Sequence, residues 1–77
     1  MTNATTQTLD ARGLNCPLPI LRTKKALNSM QVGETISIIA SDPGAIKDMQ
    51  SFCQQTGNDL LSSEHSDGEY TFVIAKA

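Results

Sequence analysis

The strongest chemical signal in the chain is the run Arg12-Gly13-Leu14-Asn15-Cys16-Pro17-Leu18-Pro19. A thiol followed by proline reads as a helix start. Proline is favoured at the first helical position, where its missing N–H has no intrahelical partner to lose. With Pro17 in that position, Cys16 is the expected N-cap. Pro19 then stands third and lacks only a donor that the first turn does not use. The N–H groups of Leu18 and Ile20 would point toward the cap side chain, together with the positive end of the helix dipole. Such a setting favours thiolate over thiol, and a persulfide anion on the same sulfur would gain equally. A lone cysteine at a turn is more often incidental than functional. Here the two prolines, Gly13 and the cap position together place the sulfur at an exposed helix end, not in a core.

The remaining reactive side chains carry less. Cys53 shares a helix face with Met49 and Ile46, one and two turns away, which is core spacing. Cysteine is often buried and then behaves as a small apolar group, so Cys53 reads as structural. A disulfide between Cys53 and Cys16 stays open on sequence grounds. Two separated cysteines and the single His65 form no ligand set of recognisable spacing, so neither a metal nor another cofactor is expected. His65 lies in a weak strand and reads as a surface residue, not as the base of a Cys–His pair. Asp10, beside Arg12, is expected to order the loop under Cys16. Asp42 is expected to cap a second helix, and Asp48 to be solvated.

Length and charge bound what can surround this sulfur. Seventy-seven residues make one domain, read here as residues 8–77 behind a disordered polar tail over residues 1–7. That tail has no basic and apolar regions of the kind a signal peptide needs, and no apolar run is long enough to span a membrane. Two cysteines do not describe a disulfide-stapled secreted scaffold, so a reducing cytoplasm is the expected setting. A net charge of −2 and a pI near 5.0 argue against direct nucleic-acid binding. Arg12, Arg22, Lys24 and Lys25 nevertheless cluster around Cys16 with no acid between positions 11 and 25. The two lysines can be plain solvated helix residues. The alternative is that Arg22, Lys24 and Lys25 form a docking patch for an acidic partner and help keep the sulfur anionic.

The elements that must position these residues follow from periodicity. Thr8 to Ala11 reads as a short strand ending at the Gly13 turn. A helix over about Pro17 to Ser29 carries Ile20, Leu21, Leu27 and Met30 as its apolar stripe. Thr35 to Ala40 is β-branched and the clearest strand. Asp42 and Pro43 repeat the cap-then-proline pattern and open a second helix reaching Thr56, with Gly57 suited to a left-handed C-terminal position. Leu60 to His65 is a weaker strand, Asp67-Gly68 a two-residue hairpin turn, and Tyr70 to Ala75 a strand with Tyr70, Phe72 and Ile74 on one face. The order βαβαββ implies a parallel crossover and a two-layer α/β sandwich, a four-stranded mixed sheet with two helices on one face.

Leu9 through Pro19 resembles the Cys-Pro-X-Pro signature of the TusA/SirA/YedF sulfur-carrier family. The likeness continues through Gly33-Glu34-Thr35, the strand to Ala40, Asp42-Pro43, Asp48, Phe52-Cys53 and the closing hairpin from Gly68 to Lys76. It implies the same βαβαββ fold and a sulfur relay in which Cys16 accepts sulfane sulfur as a persulfide and passes it on. Pro17 and Pro19 would set the helix start, and Asp10, Arg12 and Gly13 the loop. The implied partners are a cysteine desulfurase or rhodanese-type donor and a downstream acceptor protein, in tRNA thiolation or related sulfur metabolism. Leu18 stands where the best-known tRNA-thiolation members have Glu, and Arg12 where they can have a small apolar residue. Both positions lie on the expected docking surface and bear on the choice of partner. Two other readings remain. One is a thiol redox module cycling a Cys16–Cys53 disulfide. The other is a regulatory interaction module that binds through the basic patch without using the sulfur.

Overall fold

Alternating burial and helical spacing resolve into the expected order of elements. The computed structural model describes residues 6–77, in the order β1 (Thr6–Ala11), α1 (Leu18–Asn28), β2 (Thr35–Ala40), α2 (Ala45–Thr56), β3 (Asp59–Ser66) and β4 (Glu69–Ala75). Residues 1–5 of the expected tail lie outside the described residues. Thr6 and Gln7 belong to β1, because they pair in parallel with Thr35 and Ile36. Polar side chains suit such an edge strand, so composition alone hid its first two residues.

The sheet has the order β1-β2-β4-β3, with β1 parallel to β2 and the other two pairings antiparallel. Ile36, Ile38 and Ala40 alternate onto one face of β2, and Tyr70, Phe72 and Ile74 onto the same face of β4. Both helices close that face. Leu27 of α1 and Ala45, Met49 and Cys53 of α2 join these residues in one apolar cluster. Burying a side chain such as Phe72 or Met49 stabilises by about 1.5–3 kcal/mol. The β3–β4 turn has Asp67 at φ 52° and Gly68 at φ 76°, the pair of left-handed residues a two-residue hairpin requires.

One expected core residue is outside. Leu21 is 54% exposed, while Thr23 is fully buried. The inward stripe of α1 runs Pro19, Thr23, Leu27, one turn apart. Thr23 tolerates burial because its hydroxyl donates to the Pro19 carbonyl at 2.8 Å.

The parallel pairing positions the site. Ala11 lies opposite Ala40, so the carboxyl ends of β1 and β2 sit side by side. The loop leading to α1 and the turn leading to α2 therefore leave the sheet together, the place where open α/β sheets commonly build ligand sites.

Candidate functional site

Gly13 turns the chain out of β1 with φ +80°, a region a side chain would strain. Its N–H donates to Ser41 Oγ at 2.8 Å, tying the first loop to the second. Asp42 completes the tie. One carboxylate oxygen accepts the Cys16 N–H at 2.9 Å and the other the Gly44 N–H at 3.0 Å. These two bonds, that from Gly44 first, hold its carboxyl below the ordinary carboxylate range. Asp42 is not the helix N-cap that the sequence suggests. Gly44 is, and Asp42 closes the turn before it, its carbonyl accepting the Ala45 N–H at 2.9 Å.

Cys16 is not an N-cap either. Pro17 holds that position, after a cis Cys16–Pro17 peptide, and no side chain caps the helix. The Leu18 N–H expected to face the sulfur donates instead to the Asn15 carbonyl at 2.8 Å. The thiol faces a groove of about 220 Å³ lined by Cys16, Pro17, Ile20, Asp48, Ser51, Phe52 and Gln55. The Asp48 carboxylate lines the same groove as the thiol. Hydrogen bonding to that carboxylate is the first cause of an upward shift in the Cys16 pKa, followed by desolvation and by the negative charges of Asp48 and Asp42. The expected preference for thiolate is therefore reversed, because carboxylates and not helix N–H groups surround the sulfur.

Arg12 does not supply compensating charge. Its Nε and Nη2 donate to the two Asp10 carboxylate oxygens at 2.9 Å each, its backbone N–H to Asp10 at 3.1 Å, and Nη1 to Glu69 at 3.2 Å. The guanidinium bonds hold the Asp10 carboxyl down at about 2. This pair braces the loop that carries Gly13, with Glu69 anchoring it to β4. Pro19 is buried beneath the first turn of α1.

The basic patch divides. Arg22 and Lys25, with Leu9, Ala26 and Ser29, line a second groove of about 720 Å³. Lys24 is exposed one turn beyond Ile20, on the side of α1 that borders the Cys16 groove. Cys53 is buried while Cys16 is exposed, and both are free thiols. His65 is exposed and its ring stacks on Tyr70, with centroids 4.4 Å apart. Among the described residues no three His, Cys, Asp or Glu side chains gather to hold a metal, and no helix is long and apolar enough to cross a membrane.

Asp48 is the residue that the sequence undervalued. Asp48, Ser51, Phe52 and Gln55 follow helical spacing, so a mixed polar and apolar face of α2 was legible. What that face meets was not, because Cys16 reaches it only through the parallel pairing of β1 and β2.

The profile of the family described as Sulfurtransferase TusA matches residues 7–76. The sulfur carrier protein TusA of Allochromatium vinosum is 54% identical over 71 residues, which cover 92% of this chain and 93% of that protein. The crystal structure of a SirA-like protein from Desulfitobacterium hafniense superposes with a TM-score of 0.79 at 25% identity, over 92% of this chain and 96% of that one. An exposed cysteine on a braced loop above the sheet's carboxyl edge, in a chain matched along nearly its whole length, means that this protein belongs to the TusA family of sulfurtransferases and sulfur carriers.

Proposed function

We propose that the protein carries sulfane sulfur as a persulfide on Cys16 and relays it between a donor and an acceptor protein. The observation that carries this reading is the exposed Cys16 thiol at an open groove, beside a second cysteine that is buried. The Cys16 sulfur attacks the terminal sulfur of a donor persulfide. A new S–S bond forms on Cys16 while the donor's S–S bond breaks, its electron pair staying on the donor sulfur as thiolate. An acceptor thiolate repeats the exchange and releases Cys16. No electrons enter or leave the pair of reactants, so no cofactor is needed.

Asp10, Arg12, Gly13, Pro17 and Pro19 hold the carrier loop and helix start in place. Arg22, Lys24 and Lys25 favour acidic partners. A cysteine desulfurase or a rhodanese-type enzyme fits as the cytoplasmic donor, and a thiol relay protein leading to tRNA thiolation or related sulfur metabolism fits as the acceptor. The burial of Cys53 speaks against a disulfide-cycling module.

Intact-mass spectrometry of the reduced protein after incubation with a cysteine desulfurase and cysteine, or a rhodanese and thiosulfate, tests the reading. One added sulfur is expected in the native chain and in Cys53→Ala, and none in Cys16→Ser. Equal loss of loading in both variants would sink the assignment. A loss of two hydrogens would point to a disulfide module instead.

A further inference from the structure

We propose that Asp48 is the proton partner of Cys16 in sulfur transfer, taking the thiol hydrogen as Cys16 attacks and returning a proton to that sulfur when it is released. The proposal rests on Cys16 being the carrier sulfur and assigns a role to a residue on a different element.

The geometry is built from both sides. Asp48 lies one turn into α2, its N–H donating to the Gly44 carbonyl at 3.2 Å. Gly44 and Cys16 are in turn held by the same Asp42 carboxylate, at 3.0 and 2.9 Å. One side chain thus sets the register between the thiol and the first turn of α2. Pro17, Ile20 and Phe52 furnish apolar wall beside the pair.

The charged groups acting on the thiol are Asp48 and Asp42. Asp42 is committed to two backbone N–H groups and is a poor proton acceptor. Arg12 is bound to Asp10 and Glu69, Arg22 and Lys25 line the other groove, and Lys24, on the bordering side of α1, is not among the residues lining the Cys16 groove. Asp48 is the carboxylate that shares the groove with Cys16 and is not committed to backbone N–H groups.

In loading, the Cys16 Sγ bonds to the terminal sulfur of the donor persulfide and its proton passes to Asp48, while the donor leaves as thiolate. In discharge, an acceptor thiolate takes the terminal sulfur, and the departing Cys16 thiolate recovers the proton from Asp48. The carboxylate reinforces the thiol form of the resting sulfur, which is less prone to oxidation than thiolate, and removes the proton only as the new S–S bond forms.

The test uses the Cys53→Ala background, so that Cys16 is the sole thiol, with and without Asp48→Asn or Asp48→Glu. Iodoacetamide alkylation across pH gives the Cys16 thiolate fraction, and loading from glutathione persulfide gives the transfer rate by mass spectrometry. Asp48→Asn is expected to move the alkylation midpoint to lower pH, with Asp48→Glu staying close to the parent. In the parent, the loading rate divided by thiolate fraction is expected to rise about tenfold or more from about pH 9 to about pH 6, the scale of general-base assistance. In Asp48→Asn that ratio stays flat. A flat ratio in the parent as well would overturn the proton role while leaving Cys16 as carrier. An unchanged alkylation midpoint in Asp48→Asn would show that the carboxylate does not act on the thiol and would also overturn it. Failure of the parent to gain sulfur at all would remove the carrier reading and this proposal with it.

Discussion

Cys53 and Cys16 both ionise less readily than an ordinary thiol, with a normal value of 9.0, yet their causes come in a different order. For Cys53 burial leads and the charge of Asp59 follows. For Cys16 the Asp48 hydrogen bond leads and desolvation is second. The first thiol has its ionisation opposed by burial in the core with Met49 and Phe72, and it responds to anything that loosens packing. The second has its ionisation opposed first by one carboxylate, and it responds to a single side-chain change. A raised thiol pKa alone does not separate a buried cysteine from an exposed one. The cause does.

The sharpest way to break this comparison is to charge each position. Cys53→Asp buries an unpaired carboxylate and is expected to cost several kcal/mol, a large share of the roughly 5–15 kcal/mol typical of a domain, leaving the protein largely unfolded in a thermal melt. Cys16→Asp changes an exposed position and should shift stability by less than about 1 kcal/mol in the same melt. Comparable losses would mean that the two sites are not core and surface.

Smaller changes sharpen the contrast. Cys53→Ala should lose about 1–2 kcal/mol in urea unfolding through a small cavity. Asp42→Ala removes the acceptor shared by the Cys16 and Gly44 N–H groups. It should cost about 1 kcal/mol, in the range of a lost capping side chain, and slow sulfur loading because the carrier loop loses its register to α2.

The pH dependence separates the thiols further. A thiol whose pKa is raised on folding contributes stability that is intact below the unfolded value. That contribution is lost as pH climbs from the ordinary 9.0 through the folded value. Denaturant midpoints should therefore fall above about pH 9, and fall less steeply in Cys53→Ala. An identical slope in the two proteins would contradict burial of the Cys53 thiol. The smallest effect is at Asp10, whose carboxyl is depressed from 3.8 to about 2. Its contribution is present above 3.8 and lost as pH falls through about 2, and Asp10→Asn should flatten only that acid limb.

Much of the scaffold was legible one residue at a time. The alternating Ile36, Ile38 and Ala40, the Asp67-Gly68 turn and Gly57 after α2 each carry a local signature, because pleat, turn and helix termination depend on neighbouring residues. The exposure of Cys16 beside the start of the first helix was legible too, from its prolines and Gly13. Leu21 and Thr23 were not, since helical spacing defines a stripe but leaves its rotation toward the core to packing.

By itself the sequence determined the order of elements, the exposed sulfur and the loop residues around it, all set by contacts within a few positions. The tertiary structure decided what surrounds that sulfur. Parallel pairing of β1 with β2 brings Asp42 and Asp48 to Cys16 from a distant stretch of chain, and Asn15 takes the Leu18 N–H meant for the thiol. The electrostatics of a site are summed over everything within a few ångströms, and only the folded chain says what that is.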